Sequence, residues 1–240
     1  MKENHIKFHS KELSMDFDVL VFGEEGHPIV LFPTSMGRYF ENRDFGLIES
    51  AKWFIEQGYV KIYCPDGIDR LSWYNKNVHP QNRVHNHICY DRMLANELIP
   101  EILKDCNVEK VATAGCSFGG YHATNFAFKH PNMVDYVFNM SAAFDIKDQL
   151  DGYYNDDVYF NNPVDFIPDS WNEHYRDLMV FLGSGEIDAC LDANIKMANM
   201  LGAKGIKNYL DVRKGAKHDW PVWKEMFPHY ISFIGKEITI

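Results

Sequence analysis

The chain is predicted to be an α/β protein, with a mostly parallel, doubly wound sheet, an antiparallel strand pair at the N-terminal edge and helices on both faces. Three observations predict this. Short apolar runs alternate with longer stretches of helical spacing. Most of these runs are too continuously apolar for a half-exposed sheet, as strands covered on both faces are. Before Pro28 the pattern changes to alternating apolar and polar residues, which suits a solvent-facing antiparallel edge pair.

Taken in order, HIKFHS and MDFDVLVFG form the antiparallel pair. IVLFP (Ile29 to Pro33), VKIYC (Val60 to Cys64), VATAG (Val111 to Gly115), VDYVFNM (Val134 to Met140), LMVFLG (Leu178 to Gly183) and NYLDVRK (Asn208 to Lys214) read as the remaining strands. Helical spacing places helices at Gly46 to Gln57, Tyr90 to Lys104, Phe118 to Lys129, Leu191 to Leu201 and Trp220 to Ile234. Alternation of this kind implies right-handed crossovers. Residues 1–240 read as one domain, without repeats, low-complexity tracts or linkers. One irregular stretch, residues 141–176, is rich in Tyr, Phe, Asn, Asp and Pro. It is either a cover or pocket lining, or an ordinary surface excursion over buried aromatics.

Bulk chemistry narrows the partners. With 24 Lys and Arg against 34 Asp and Glu, the formal charge is −10. Such a surface repels phosphate backbones and anionic headgroups, which argues against nucleic acid and membrane partners and for a small-molecule substrate. No segment has the apolar length of a signal peptide or a bilayer span. The five cysteines are odd in number, scattered and without CxxC spacing, as expected of reduced thiols. These features together predict a cytoplasmic protein.

The chemistry concentrates in VATAGCSFGGYHA. Gly115-Cys116-Ser117-Phe118-Gly119 fits GxSxG, a strand-to-helix elbow that lifts a serine clear of the backbone. The plainer alternative is a glycine turn with Ser117 capping the next helix. Cys116 is a weaker nucleophile candidate, because the central position of the turn belongs to Ser117. A serine hydroxyl needs a base, a group orienting that base, and donors for the oxyanion. His218, after the last strand and before the last helix, is the candidate base. His79, His85 and His87 have no carboxylate or cysteine at ligand spacing, so VHPQNRVHNH reads as a polar loop and no metal is expected.

Asp188, just past the strand LMVFLG, is the candidate orienting acid, with Glu186 second. Asp192 suits the N-terminal dipole of a helix, and Asp219 is too close to His218 in sequence. The oxyanion donors expected are the backbone N–H groups of Phe118 and of a residue after IVLFP, with Ser35 preferred over Thr34 and Met36. There LFPTSMG stands where LLHGxxG is common, with Pro33 and Thr34 replacing His-Gly.

With these residues in hand, the chain resembles the α/β-hydrolase superfamily, and within it the esterase group that includes esterase D, feruloyl esterases and mycolyltransferases. The resemblance rests on GCSFGGYHA, GSGEIDACLDAN, GAKHDWPVW and YDRMLANELIPEI. HDWPVW is similar to the family's HDW-x-x-W ending, in which the histidine is the general base. The resemblance implies Ser117, Asp188 and His218 as nucleophile, orienter and base, with Phe118 and the Ser35 region as oxyanion donors and no metal or organic cofactor. It implies a serine hydrolase of small or medium acyl or aryl esters. Acyl transfer by the same residues and a catalytically silent binding protein are the alternatives. Trp73, Tyr74, Tyr153, Tyr154, Phe160 and Trp220 are candidates for an apolar substrate pocket, although aromatics bury readily anywhere.

Overall fold

The computed structural model describes residues 1–236. Eight strands form one sheet: β1 (Glu3–Ser10), β2 (Met15–Phe22), β3 (His27–Phe32), β4 (Val60–Pro65), β5 (Val111–Cys116), β6 (Val134–Met140), β7 (Met179–Gly185) and β8 (Lys207–Arg213). Their order across the sheet is β1-β2-β4-β3-β5-β6-β7-β8. β1 pairs antiparallel with β2 and β2 antiparallel with β4, and every later pairing is parallel. The expected N-terminal pair is therefore present, but only β1 is an exposed edge. Residues Val19 to Phe22 of β2 are buried, because β4 covers the other side of that strand.

Successive residues of a strand face opposite sides. In β3, Val30 and Phe32 point into one core, and Ile29 and Leu31 into the other. The first core is closed by α4 (Pro80–Met93), α5 (Ile99–Cys106), α6 (Phe118–Lys129) and α9 (Leu191–Ala203). The second lies beneath α2 (Leu47–Ser50), α3 (Lys52–Glu56) and α10 (Trp220–Ile231). Each fully buried Phe or Leu in these layers contributes about 1.5–3 kcal/mol of transfer free energy. The remaining short helices are α1 (Glu41–Asp44), α7 (Asp156–Tyr159) and α8 (Pro163–Asp169).

Three helical expectations need correction. The single helix at Gly46 to Gln57 is two short ones, α2 and α3, separated at Ala51. The helix expected at Tyr90 begins ten residues earlier, at Pro80, whose fixed φ suits the first helical position. It then passes through a π-helical turn, Leu94–Leu98, into α5. The stretch VHPQNRVHNH is thus mostly helix rather than a polar loop. Within it His79 caps α4 by accepting from Gln81 N at 3.2 Å, and His87 is buried.

The ends of β5, β7 and β8 lie on the same edge of the parallel sheet, so their following loops converge. β5 turns into α6 with almost no clearance. A Cβ on Gly115 would stand 2.1 Å from the carbonyl carbon of Gly119, and one on Gly119 would stand 2.6 Å from the Pro33 carbonyl oxygen. Only glycine permits this approach of strand, helix and the loop after β3. Gly115→Ala is expected to lower stability by about 1–3 kcal/mol or more through overpacking. A urea denaturation midpoint equal to that of the wild type would show that strand and helix can part without cost.

Candidate active site

Ser117 sits between β5 and α6 with φ 54° and ψ −120°, a strained backbone for a residue with a side chain. The surroundings hold it there: Ser117 N donates to Met140 O at 2.9 Å, and its carbonyl accepts from Gly120 N and Ala143 N. Its hydroxyl is 2.9 Å from His218 Nε2. Neighbouring Cys116 points into the core, fully buried, where burial pushes its thiol well up and keeps it protonated. The serine, not the cysteine, is therefore the presented group.

His218 lies in the loop between β8 and α10, and its Nδ1 is 2.9 Å from Asp188 Oδ1. Asp188 occupies the turn after β7 and is 7% exposed. Burial works against its charge, but the Ser141 hydroxyl, the N–H of Cys190 and His218 outweigh this and hold the carboxyl below its ordinary value. Cys190 N donates to Oδ1 at 2.7 Å. The structure thus brings together the three side chains proposed from sequence, drawn from widely separated segments.

The other acids are occupied elsewhere. Glu186 is exposed and accepts from Gly215 N at 2.8 Å, Asp192 lies in the first turn of α9, and Asp219 caps α10 through Trp220 N. Glu186 N donates to Arg213 O at 2.8 Å and Ile187 N to Ala216 O at 2.9 Å. A Cβ on Gly185 would meet Ala216 O at 2.3 Å. The loops bearing acid and imidazole are therefore fastened directly to each other.

The loop after β3 can be resolved by asking where its N–H groups go. Thr34 N donates to Glu41 Oε2 at 2.7 Å, Met36 N to Asp69 Oδ2 at 3.1 Å and Gly37 N to Thr34 O at 2.9 Å. Among the described residues, nothing accepts from Ser35 N or from Phe118 N. Of the three residues considered at this position, Ser35 is the one with a free donor. Asp69 is itself fixed by His122 of α6, Oδ1 to Nε2 at 2.9 Å, and both side chains are buried. Glu41, Asp69 and His122 support the loop and escaped the sequence reading. His122 stood inside GCSFGGYHA, but nothing in sequence paired it with Asp69.

The aromatic candidates separate. Trp73 is wholly buried against His87 and Tyr121, which removes it from any substrate surface. Its neighbour Tyr74 instead reaches the loop, donating to Ser35 Oγ at 3.0 Å and packing edge-on against Phe118. Trp220 stacks on exposed Phe45 with centroids 4.6 Å apart. Tyr153 packs against His79, while Tyr154 and Phe160 are exposed. A cavity of about 590 Å³ lies elsewhere, between β1, β2, β4 and α5, and shares no residue with the triad or the loop. Converging hydrogen bonds, not volume, locate this site.

Among the described residues, the metal-competent trio within mutual reach is Asp188, Cys190 and His218. Both ring nitrogens of His218 are already engaged by Ser117 and Asp188. No helix among the described residues is long and apolar enough to cross a membrane.

Known proteins share this fold. No curated protein matches the chain. Among solved structures, a ferulic acid esterase superposes with TM-score 0.77 at 22% identity, covering 97% of each chain. The S-formylglutathione hydrolase FrmB from Staphylococcus aureus gives 0.74 at 16% identity, covering 97% of this chain and 96% of that one. The Staphylococcus aureus fluorophosphonate-binding serine hydrolase FphF gives 0.77 at 16%, covering 98% and 99%. The esterase family model, described as "Putative esterase", matches residues 59–234, nearly three quarters of the sequence. The chain belongs to this esterase family.

Proposed function

We propose that the protein hydrolyses small or medium acyl and aryl esters through a covalent acyl-enzyme on Ser117. The observation that carries this reading is the continuous hydrogen-bonded path from Ser117 through His218 to Asp188. Ser117 Oγ attacks the ester carbonyl carbon while His218 Nε2 takes its proton, and ionised Asp188 stabilises the imidazolium. The free N–H groups of Phe118 and Ser35 receive the developing oxyanion. Collapse expels the alcohol, which takes the proton from His218. Water, deprotonated by the same imidazole, then attacks the acyl carbon and releases the acid and Ser117. No metal or cofactor enters these steps. Acyl transfer and a silent binding role are not favoured by membership of an esterase family.

The substrate surface we propose consists of Tyr74, Phe118 and the Trp220–Phe45 stack, with residues 141–176 as one wall. Ile146, Leu150 and Val158 do not line that wall but anchor it, wholly buried in one cluster with Phe118. A small ester met in the cytoplasm fits the acidic surface and the unpaired cysteines.

Ser117→Ala is expected to cut hydrolysis of p-nitrophenyl acetate by about a thousandfold or more, and to abolish labelling by a fluorophosphonate probe. Equal rates for variant and wild type would remove Ser117 from the reaction. On acidification, activity is expected to fall with the slope of a single proton. The imidazole that takes the serine proton accounts for that one proton, because Asp188, held below the ordinary carboxylate range by its hydrogen bonds, does not add a second. A two-proton slope in kcat/KM would contradict this assignment. Aryl and short acyl esters should turn over faster than long-chain ones, and a flat profile across acyl length would exclude the proposed surface.

A further inference from the structure

Behind the acid lies an arrangement that the steps above leave unused. Ser141, the residue after β6, is completely buried and holds a left-handed backbone at φ 55°. Glycine would take that conformation without strain, so a serine there implies a use for its side chain. Its N–H donates to Gly183 O at 2.7 Å, fixing the residue against the end of β7, the strand whose following turn carries Asp188. Its hydroxyl oxygen accepts from Trp223 Nε1 at 2.8 Å. Trp223 is itself buried, with its ring edge-on to His218, centroids 5.1 Å apart at 89°.

A hydroxyl offers one donor as well as its lone pairs. Indole N–H can only donate, so Trp223 occupies a lone pair of Ser141 and leaves its proton free. On the acid side, Asp188 Oδ2 is buried and has no formed hydrogen bond. A buried carboxylate oxygen without a donor is costly, and outside the triad the Ser141 hydroxyl is the side-chain donor that acts on this carboxyl.

We propose that Ser141 is a positioning residue for the acid: Trp223 fixes its hydroxyl so that the proton is directed to Asp188 Oδ2, setting the carboxylate's orientation towards His218. The path then has five members, Trp223, Ser141, Asp188, His218 and Ser117, and Trp223 supports both acid and base. The same hydroxyl favours the ionised form of Asp188, as Cys190 N and His218 do. This inference rests on the assignment of Asp188 as orienter.

The test pairs two substitutions with a readout independent of turnover. Ser141→Gly removes the hydroxyl while suiting the positive φ, so the backbone there gains no strain. Trp223→Phe keeps an aromatic ring beside His218 and removes only the N–H. Each is expected to lower kcat on p-nitrophenyl acetate by about tenfold or more with KM within twofold. The double variant should be scarcely slower than either single one, because both act through one hydrogen bond. In proton NMR, the low-field signal of the His218 Nδ1–H bonded to Asp188 should shift or broaden in both variants. An unchanged kcat, additive losses or an unmoved low-field proton would overturn the proposal. Should Ser141→Gly fail to fold, Trp223→Phe decides alone by the same kcat and NMR criteria. Ser117→Ala run alongside separates the two readings: an active Ser117→Ala defeats the proposed hydrolysis, whereas an inactive one beside an unaffected Ser141→Gly defeats only the role of Ser141.

Discussion

Backbone contact between Gly115 and Gly119 is the constraint on which the site depends. Because no carbon fits between the end of β5 and the first turn of α6, the chain must reverse within Cys116 and Ser117. The strain of that reversal falls on Ser117 at φ 54° and is sustained by the hydrogen bonds to its main chain from three directions. The same contact seats α6 on Pro33, so one glycine step positions the hydroxyl, the Phe118 N–H and the Ser35 loop together. Preorganisation of donors around a future negative charge is what makes such a site effective in a medium of low polarity.

A second level of order comes from buried polar groups. Asp69 links His122 of α6 to Met36 of the loop, and Glu41 takes both the N–H and the hydroxyl of Thr34. These contacts consume the N–H groups of Thr34 and Met36 and leave that of Ser35 without an acceptor among the described residues. Charge buried inside a protein must be paired to be tolerated. Here the pairing also selects which amide remains available.

The parallel strands were readable because burial on both faces leaves an unbroken apolar signature, and the elbow because its glycines are forced by sterics. The helix from Pro80 was not, since its inward face carries Arg83, His87 and Asp91. Buried polar side chains satisfied by distant partners look in sequence like a solvated loop. Arg83, for example, donates to the Asn75, Val78 and Gln149 carbonyls and to Asp151. Asp188 was identifiable from its place after a strand, and His218 from its place before the last helix. Ser35 was preferred from its place in LFPTSMG, but its free N–H emerged only from a full account of who accepts each donor, and Trp73 could be told from Tyr74 only once one ring was seen inside and the other at the loop. Long-range polar pairing has no local periodicity, which is why it is the part that sequence conceals.

The imidazole follows β8, the edge strand opposite β1, which contains no buried residue and has a partner on one side only. The hydroxyl stands on β5, enclosed by β3 and β6. The proposed proton acceptor and the proposed nucleophile therefore belong to regions of unequal resistance to opening. On gentle warming the enzyme would fall silent while its central strands stayed fully assembled, and cooling from that stage would restore turnover without refolding.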